Sequence, residues 1–179
     1  MKSYRSLFLA FAVLTAGFLD NQATAQQVSC TGVASHVLAV TDLTYKLVNT
    51  KFQFDTPNLE SMLVAKFKVA GKTPSCVVAH FSGLTRVTDN YVVFQVRIDG
   101  VPMQGHLPGF AGVADPVVWA QMDDQDEQLS DPIKVASFNF FQKVNPGNHV
   151  VEVLVAAGSN IDPANHPTVT NQVLTLEYH

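Results

Sequence analysis

The chain has 179 residues, of which 47% are hydrophobic and only 15% are charged, and its formal net charge is −4. This length is typical of one domain, and this hydrophobic content excludes a disordered chain. A mildly acidic chain without a basic cluster is a poor match for nucleic acid or for an anionic membrane surface. The composition therefore indicates a single globular domain that binds neither.

The first 25 residues have the order of a secretory signal peptide. Lys2 and Arg5 precede an apolar run over residues 7–19, and residues 23–25 form a small-x-small cleavage site. The apolar run is too short to anchor the chain, because a spanning helix needs roughly 20 residues. We therefore expect export to the periplasm or the cell exterior, and a folded domain over residues 26–179 that does not insert into the membrane.

Cys30 and Cys76 are the two cysteines of the chain. An even number of cysteines in an exported protein favours a disulfide. Closing the loop between residues 30 and 76 would stabilise the fold by roughly 4 kcal/mol. Two buried free thiols are the alternative. With both cysteines bridged, neither would act as a thiol nucleophile.

The clearest strand pattern lies at residues 91–100. The apolar side chains that recur there at period two, and so predict a core face, are Val92, Phe94, Val96 and Ile98. The opposite face is expected near water, with Val93 as its apolar exception. Asp99-Gly100 predicts a turn at the end of the strand. We expect this strand to lie at the centre of a sheet.

Similar alternation occurs along the rest of the chain. Leu43, Tyr45 and Leu47 share one side of a predicted strand, and Leu63 begins another in which Met62 and Val64 face the opposite side. Further runs at residues 76–81, 133–141, 150–155 and 173–178 bring the total to eight or nine short strands separated by turns. No window has a helical period. The simplest architecture is an all-β antiparallel two-sheet sandwich of jelly-roll type.

The second half of the chain carries a recognisable arrangement. A strand ending at residues 97–102 is followed by a Pro/Gly-rich stretch, an aromatic strand at 137–141, a Pro-Gly turn and strand at 144–153, and a closing strand at 174–178. Over roughly residues 76–178 this resembles small exported bacterial β-sandwich proteins, and more distantly the jelly-roll heads of C1q-like and tumour-necrosis-factor-like proteins. The C1q-like resemblance implies a homotrimer with a ligand or calcium at its loops. It supplies no catalytic residues.

The irregular stretch at residues 101–130 holds the best candidates for ligand contacts. A Trp ring offers a flat apolar face on which a sugar can stack, and clustered carboxylates supply the oxygen ligands that calcium prefers. The candidate binding residues are Trp119, Asp123, Asp124, Asp126 and Glu127. The spacing of an EF-hand is absent, so a solvated turn is favoured over a calcium site. A Trp buried under a loop is favoured over an exposed one.

No metal or catalytic motif stands out. The six histidines lack the His-x-His and His-x3-His spacings of metal ligands, and there is no Gly-x-Ser-x-Gly elbow. His149 follows a Pro-Gly-Asn turn and is expected to hydrogen-bond within it. His80 is expected at the surface. No cofactor is predicted.

Three functions remain open from the sequence. The first is a non-enzymatic exported module whose loops at 101–130 and 158–167 contact a ligand or a protein partner. The second is a hydrolase acting on an envelope or extracellular polymer, using paired acids. The acids placed for that role are Asp115, Asp123, Asp124 and Asp162. The third is a structural surface protein that assembles through its outer strand faces, with Val64 and Val93 as interface residues.

Overall fold

The computed structural model describes residues 34–52, 58–87, 91–104, 118–122, 133–158 and 166–179, with side chains omitted for 118–122. The described residues form ten strands: β1 (His36–Asp42), β2 (Lys46–Leu47), β3 (Glu60–Val69), β4 (Ser75–Arg86), β5 (Tyr91–Ile98), β6 (Val101–Pro102), β7 (Val118–Met122), β8 (Ile133–Val144), β9 (Gly147–Ala157) and β10 (Thr168–Tyr178). Sheet A has the order β1-β10-β4-β8, with β2 also against β10. Sheet B has the order β3-β9-β5-β6, with β7 also against β5.

The strand order is that of one long antiparallel hairpin wound into two sheets. The pairs β1 with β10, β3 with β9, β4 with β8 and β5 with β7 fold the chain back on itself. Within sheet A, the pairing of β10 with β4 joins the β1–β10 pair to the β4–β8 pair. Within sheet B, the pairing of β9 with β5 joins the β3–β9 pair to the β5–β7 pair. Eight strands arranged in this way form a jelly roll, to which β2 and β6 are short additions. The predicted all-β two-sheet sandwich of jelly-roll type is confirmed.

The core between the sheets contains the side chains that the alternation of β5 predicts. All four are at most 1% exposed: Val92, Phe94, Val96 and Ile98. Phe94 links the two layers, because its ring centroid lies 5.0 Å from that of Phe81 on β4 and 6.4 Å from that of Phe138 on β8. Such aromatic pairs add about 0.5–1.5 kcal/mol each beyond the burial of their surface. Partners on both sides make β5 an interior strand, as expected.

The second face of β5 was predicted near water, and this prediction was wrong for the middle of the strand; Tyr91 and Arg97 on the same face are partly exposed. Val93 and Gln95 are both fully buried. Val93 packs with Phe52 and Ala156 in a second, smaller apolar cluster. The segment before β3 lies along the end of β9, where Phe52 N donates to Ala157 O (2.7 Å). A segment distant in sequence thus helps to cover this face, and Val93 is excluded as an exposed interface residue.

Met62 on β3 is also buried, although the alternation places it opposite the core. The pairing of β3 with β9 shifts between Ser61 and Leu63, so Met62 lies in a bulge. One extra residue in a strand reverses the side on which the preceding residues lie. From Leu63 onward the predicted alternation holds, and Val64 is exposed as predicted.

A second bulge interrupts β10 in the middle of sheet A. Thr170 pairs with Leu84 and Val173 pairs with Ser82, so Asn171 and Gln172 share one position opposite β4. Asn171 has a φ of 51°, a conformation that Asn tolerates better than most residues. The bulge leaves Gln172 with 0% exposure, and among the described residues neither its amide nitrogen nor its amide oxygen has a hydrogen-bond partner.

Candidate functional site

The predicted acidic site and all four predicted hydrolase residues lie outside the described residues. This applies to Asp123, Asp124, Asp126 and Glu127, and also to Asp115 and Asp162. The candidate Trp119 was expected in a loop, but it lies in β7, where its backbone is in register with Val93. The Trp119 and acidic-run binding site stays a prediction.

The strands that border these stretches gather at one end of the sandwich, here called the loop end. Met122, which precedes the acidic run, is opposite Tyr91, and Gly158 N donates to Tyr91 O (2.9 Å). In sheet A, Arg86 is opposite both Ile133 and Thr168. Because β4 ends at this end and β5 begins there, both sheets contribute strand ends to it.

Three large apolar side chains project into solvent beside the edge of sheet A. Leu43 is 72% exposed, Tyr45 is 60% exposed and Leu47 is 47% exposed. We call these three residues the apolar ledge. A single exposed leucine needs no explanation, but three neighbouring large apolar side chains form the kind of patch that marks an interaction surface.

The backbone of the apolar ledge is fixed by the residue that precedes it. Asp42 Oδ1 accepts hydrogen bonds from Thr44 N (2.9 Å) and Thr44 Oγ1 (2.6 Å), which forms an Asx turn. This turn takes the chain out of β1, so the continuous strand predicted through residues 43–47 is reduced to the two residues of β2. Asp42 Oδ2 also lies 2.9 Å from Lys46 Nζ. The hydrogen bonds from Thr44, and then the one from Lys46, lower the pKa of Asp42 to about 2.

Contacts to both sheets hold the ledge at its two ends. Lys46 Nζ donates to Met62 O on β3 in sheet B. Thr170 Oγ1 on β10 donates to Leu43 O (3.3 Å), and Val48 N donates to Pro167 O (2.9 Å) just after the ledge. The exposed side chains therefore stand on an ordered backbone. A preorganised apolar surface loses less conformational entropy on binding than a mobile one.

The outer face of sheet A, which lies beside the ledge, carries few charges. Paired residues of β1, β10, β4 and β8 form rows across this face. One such row contains Val37, Glu177, Val78 and Phe141. His80 is near the centre of this face, as the sequence predicts. Its Nδ1 lies 2.7 Å from Asn139 Oδ1 and its Nε2 lies 3.5 Å from Glu177 Oε1. The His80 and Glu177 side chains are more than two-fifths exposed, so this group lacks the enclosure that strengthens acid–base catalysis.

His149 has a structural role at the opposite end of the sandwich. Its Nε2 lies 2.8 Å from Asn145 O, and its Nδ1 lies 2.6 Å from Asp99 Oδ2. The prediction that it hydrogen-bonds within its turn is confirmed. The contact to Asp99 joins this turn to the predicted Asp-Gly turn, where φ is 52° at Asp99 and 80° at Gly100. The hydrogen bonds from His149 and from Val150 N lower the pKa of Asp99.

Cys76 lies on β4 and is disulfide-bonded, and the described part of the chain has no free cysteine. Cys30 lies outside the described residues, so its pairing with Cys76 stays a prediction. The register is compatible with it: Ser35 lies beside the end of β10, whose other neighbour is β4. Two strand spacings are about 10 Å, and five residues can span more than that.

No group of three or more His, Cys, Asp or Glu side chains in the described part of the chain is arranged to hold a metal ion. Nor does this part contain a helix long and apolar enough to cross a bilayer.

The apolar ledge was missed by the sequence analysis, although its members were seen to share one side of the chain. Alternation shows which side chains share one face of a strand, but not whether that face is buried or exposed to solvent. The available signal was the pattern Asp42-x-Thr44, which is typical of an Asx turn and marks the end of a strand.

No protein-family model and no curated protein matches the chain. Among solved structures, it is similar to the VP2 subviral particle of infectious bursal disease virus, with 10% identity and a TM-score of 0.47 over 87% of this chain and 36% of that one. The Gt strain of that virus gives 8% identity, a TM-score of 0.48, and coverage of 87% and 36%. The Gx strain gives 10% identity, a TM-score of 0.44, and coverage of 87% and 39%. This chain thus spans little more than a third of their length, and the likeness concerns the fold alone.

Proposed function

We propose that the protein is an exported, non-enzymatic β-sandwich module that binds a protein partner through the apolar ledge. The observation that carries the proposal is the exposure of Leu43, Tyr45 and Leu47 on a backbone fixed by Asp42. Tyr is enriched in protein–protein interfaces because it combines a large apolar ring with a polar tip. A fixed apolar projection beside a face of low charge suits docking against another protein better than it suits catalysis.

A photo-cross-linker at the ledge tests this proposal in the cells that produce the protein. Tyr45→p-benzoylphenylalanine is expected to give a discrete cross-linked species on irradiation. The combined substitution Leu43→Ser and Leu47→Ser should abolish that species without unfolding the domain, because both side chains are exposed. The matched control is Val64→p-benzoylphenylalanine, since Val64 is 53% exposed on the far edge of sheet B. Equal cross-linking at both positions, or none at either, would contradict the proposal.

The exported location is a separate part of the proposal and has its own test. It is supported by the order of charges, apolar run and small residues in the first 25 residues. N-terminal sequencing of protein recovered outside the cytoplasm should begin at Gln26. Full-length protein retained in the cytoplasm would refute export and leave the ledge proposal standing.

A second binding site at the loop end is supported by the convergence of strand ends from both sheets there. Met122 and Ile133 border the stretch that contains the acidic run. If that run binds calcium, a calcium titration followed by the fluorescence of the single Trp119 should saturate, and Asp123→Asn with Asp124→Asn should abolish the change. A flat titration would remove calcium from consideration and leave the ledge as the binding surface.

A further inference from the structure

The long edge strands of the two sheets are protected unequally against pairing with another strand. β3, an edge of sheet B, carries the exposed Lys66 and Lys68, and edge lysines discourage strand addition. β8, one edge of sheet A, is bridged by Gln104, which exchanges two backbone hydrogen bonds with Phe141 (2.9 and 2.7 Å). β1, the other edge of sheet A, contains no Lys, Arg or Pro, and no described residue pairs with its outer side.

The side chains of β1 suit an added strand. Val37, Ala39 and Thr41 alternate along its outer face, and all three are exposed and uncharged, with Val37 at 68%. Leu38 and Val40 face inward and pack against the core, so the strand is held in place from behind. β4 lies beyond β10, on the side of β1 that is away from its unpaired edge. The predicted Cys30–Cys76 bridge would tie the chain before β1 to β4, and therefore away from that edge. An ordered edge of seven residues whose outward side chains are uncharged is a template for β-augmentation.

The sequence of β1 is complementary to itself when read in the opposite direction. In an antiparallel pair centred on Ala39, Val37 faces Thr41 of the other strand, Leu38 faces Val40, and His36 faces Asp42. The apolar and β-branched residues thus meet one another, and no residue faces a like charge. Moving the centre to residue 38 or to residue 40 places an apolar side chain opposite His36 or opposite Asp42. Centring on Ala39 is therefore the favoured register.

We propose that a second copy of this chain pairs with β1 in antiparallel fashion about a two-fold axis at Ala39, which joins two A sheets into one. The contact extends the main-chain ladder beyond sheet A. A two-fold axis gives a dimer, whereas the C1q-like resemblance implies a trimer. The paired edge is short, so the association is weak and depends on concentration.

Disulfide trapping tests the axis directly. Directly opposed residues have Cβ atoms about 4.5–5.5 Å apart, which is close enough for a disulfide to form with a small shift. Ala39→Cys should therefore yield a covalent dimer under mild oxidation. Val37→Cys is the matched control on the same face of the same strand. In the proposed register, its two copies lie four residues apart along the strand, about 13 Å. We expect Ala39→Cys to cross-link at least about tenfold faster than Val37→Cys.

Sedimentation of the unmodified protein provides a second readout that needs no thiol. The mass should rise toward a dimer at high concentration, and Ala39→Lys should weaken association roughly fivefold or more, because two like charges would face each other across the axis. Ala39 is exposed, so unchanged circular dichroism is expected for this variant. Cross-linking at equal rates from residues 37 and 39, a trimer mass, or a monomer at every concentration would overturn the proposal.

Discussion

Replacing Gln172 with methionine should make the protein more stable. Gln172 is fully buried in the bulge of β10, and neither of its amide atoms has a hydrogen-bond partner in the part of the chain that the structure describes. A buried polar group without a partner costs about 1–3 kcal/mol relative to its hydrated state. Methionine has nearly the same length and volume as glutamine but no atom that needs a partner, and it adapts well to irregular spaces. The expected gain is about 1–3 kcal/mol in the free energy of unfolding.

Thermal and urea unfolding measure this gain. For a domain of this size each kcal/mol shifts Tm by about 2–4 °C, so Gln172→Met should raise Tm by roughly 2–12 °C. The midpoint in urea should rise without a change in the m-value. Gln172→Glu is the matched control, because it keeps the shape of the side chain and adds a charge. If no water reaches the site, the buried carboxylate should lower the free energy of unfolding of that variant by about 3 kcal/mol or more.

The reasoning would be refuted if Gln172→Met were no more stable than the wild type and Gln172→Glu were tolerated. That pair of results would mean that the amide is hydrated in the native protein, since a bound water would satisfy both amide atoms and would also solvate a carboxylate.

Three other predictions follow from the turns. Asp42 has a pKa of about 2 in the folded protein, below its ordinary 3.8. Its ionised form therefore stabilises the fold above about pH 4, and that contribution is lost as the pH falls toward 2. An acid titration of Asp42→Asn, followed by circular dichroism, should lack this part of the pH dependence of stability. His149→Phe keeps a ring beside Phe67 but removes two hydrogen bonds, and urea unfolding should show a loss of about 2 kcal/mol. Gly100→Ala should cost about 1 kcal/mol because φ is 80° there, whereas Gly100→Asn should cost less; unchanged stability in Gly100→Ala would contradict the positive φ.

The sequence predicts those features that depend on neighbouring residues. Val77, Ala79 and Phe81 on β4 face the core as their alternation indicates, and the Asp99-Gly100 turn joins β5 to β6. These succeed because strand pleating and turn geometry are local properties of the chain. The stretch predicted to be irregular at residues 101–130 contains β6 and β7, and its acidic run lies outside the described residues. The residue types of that run do not specify a ligand.

Predictions failed where the outcome depended on distant segments or on a single side chain. Val93 is buried because chain from before β3 packs over the second face of β5, a contact that the alternation in β5 does not reveal. Met62 is buried because a bulge shifts its side, and bulges leave only a weak trace in sequence. The row from Leu43 to Leu47 became an exposed ledge because the Asp42 side chain bonds to the backbone of Thr44 in place of a strand partner.

The wound hairpin has a consequence for how the chain folds. Among the described strands β1 is the first along the chain and β10 the last, yet β10 lies inside sheet A between β1 and β4. Sheet A therefore cannot assemble until β10 has been synthesised. Its assembly must bring together residues that are far apart in sequence, such as His36 and Tyr178, which places folding in the slow range of milliseconds to seconds. Docking of the eleven-residue strand β10 is then the step that commits sheet A to its structure.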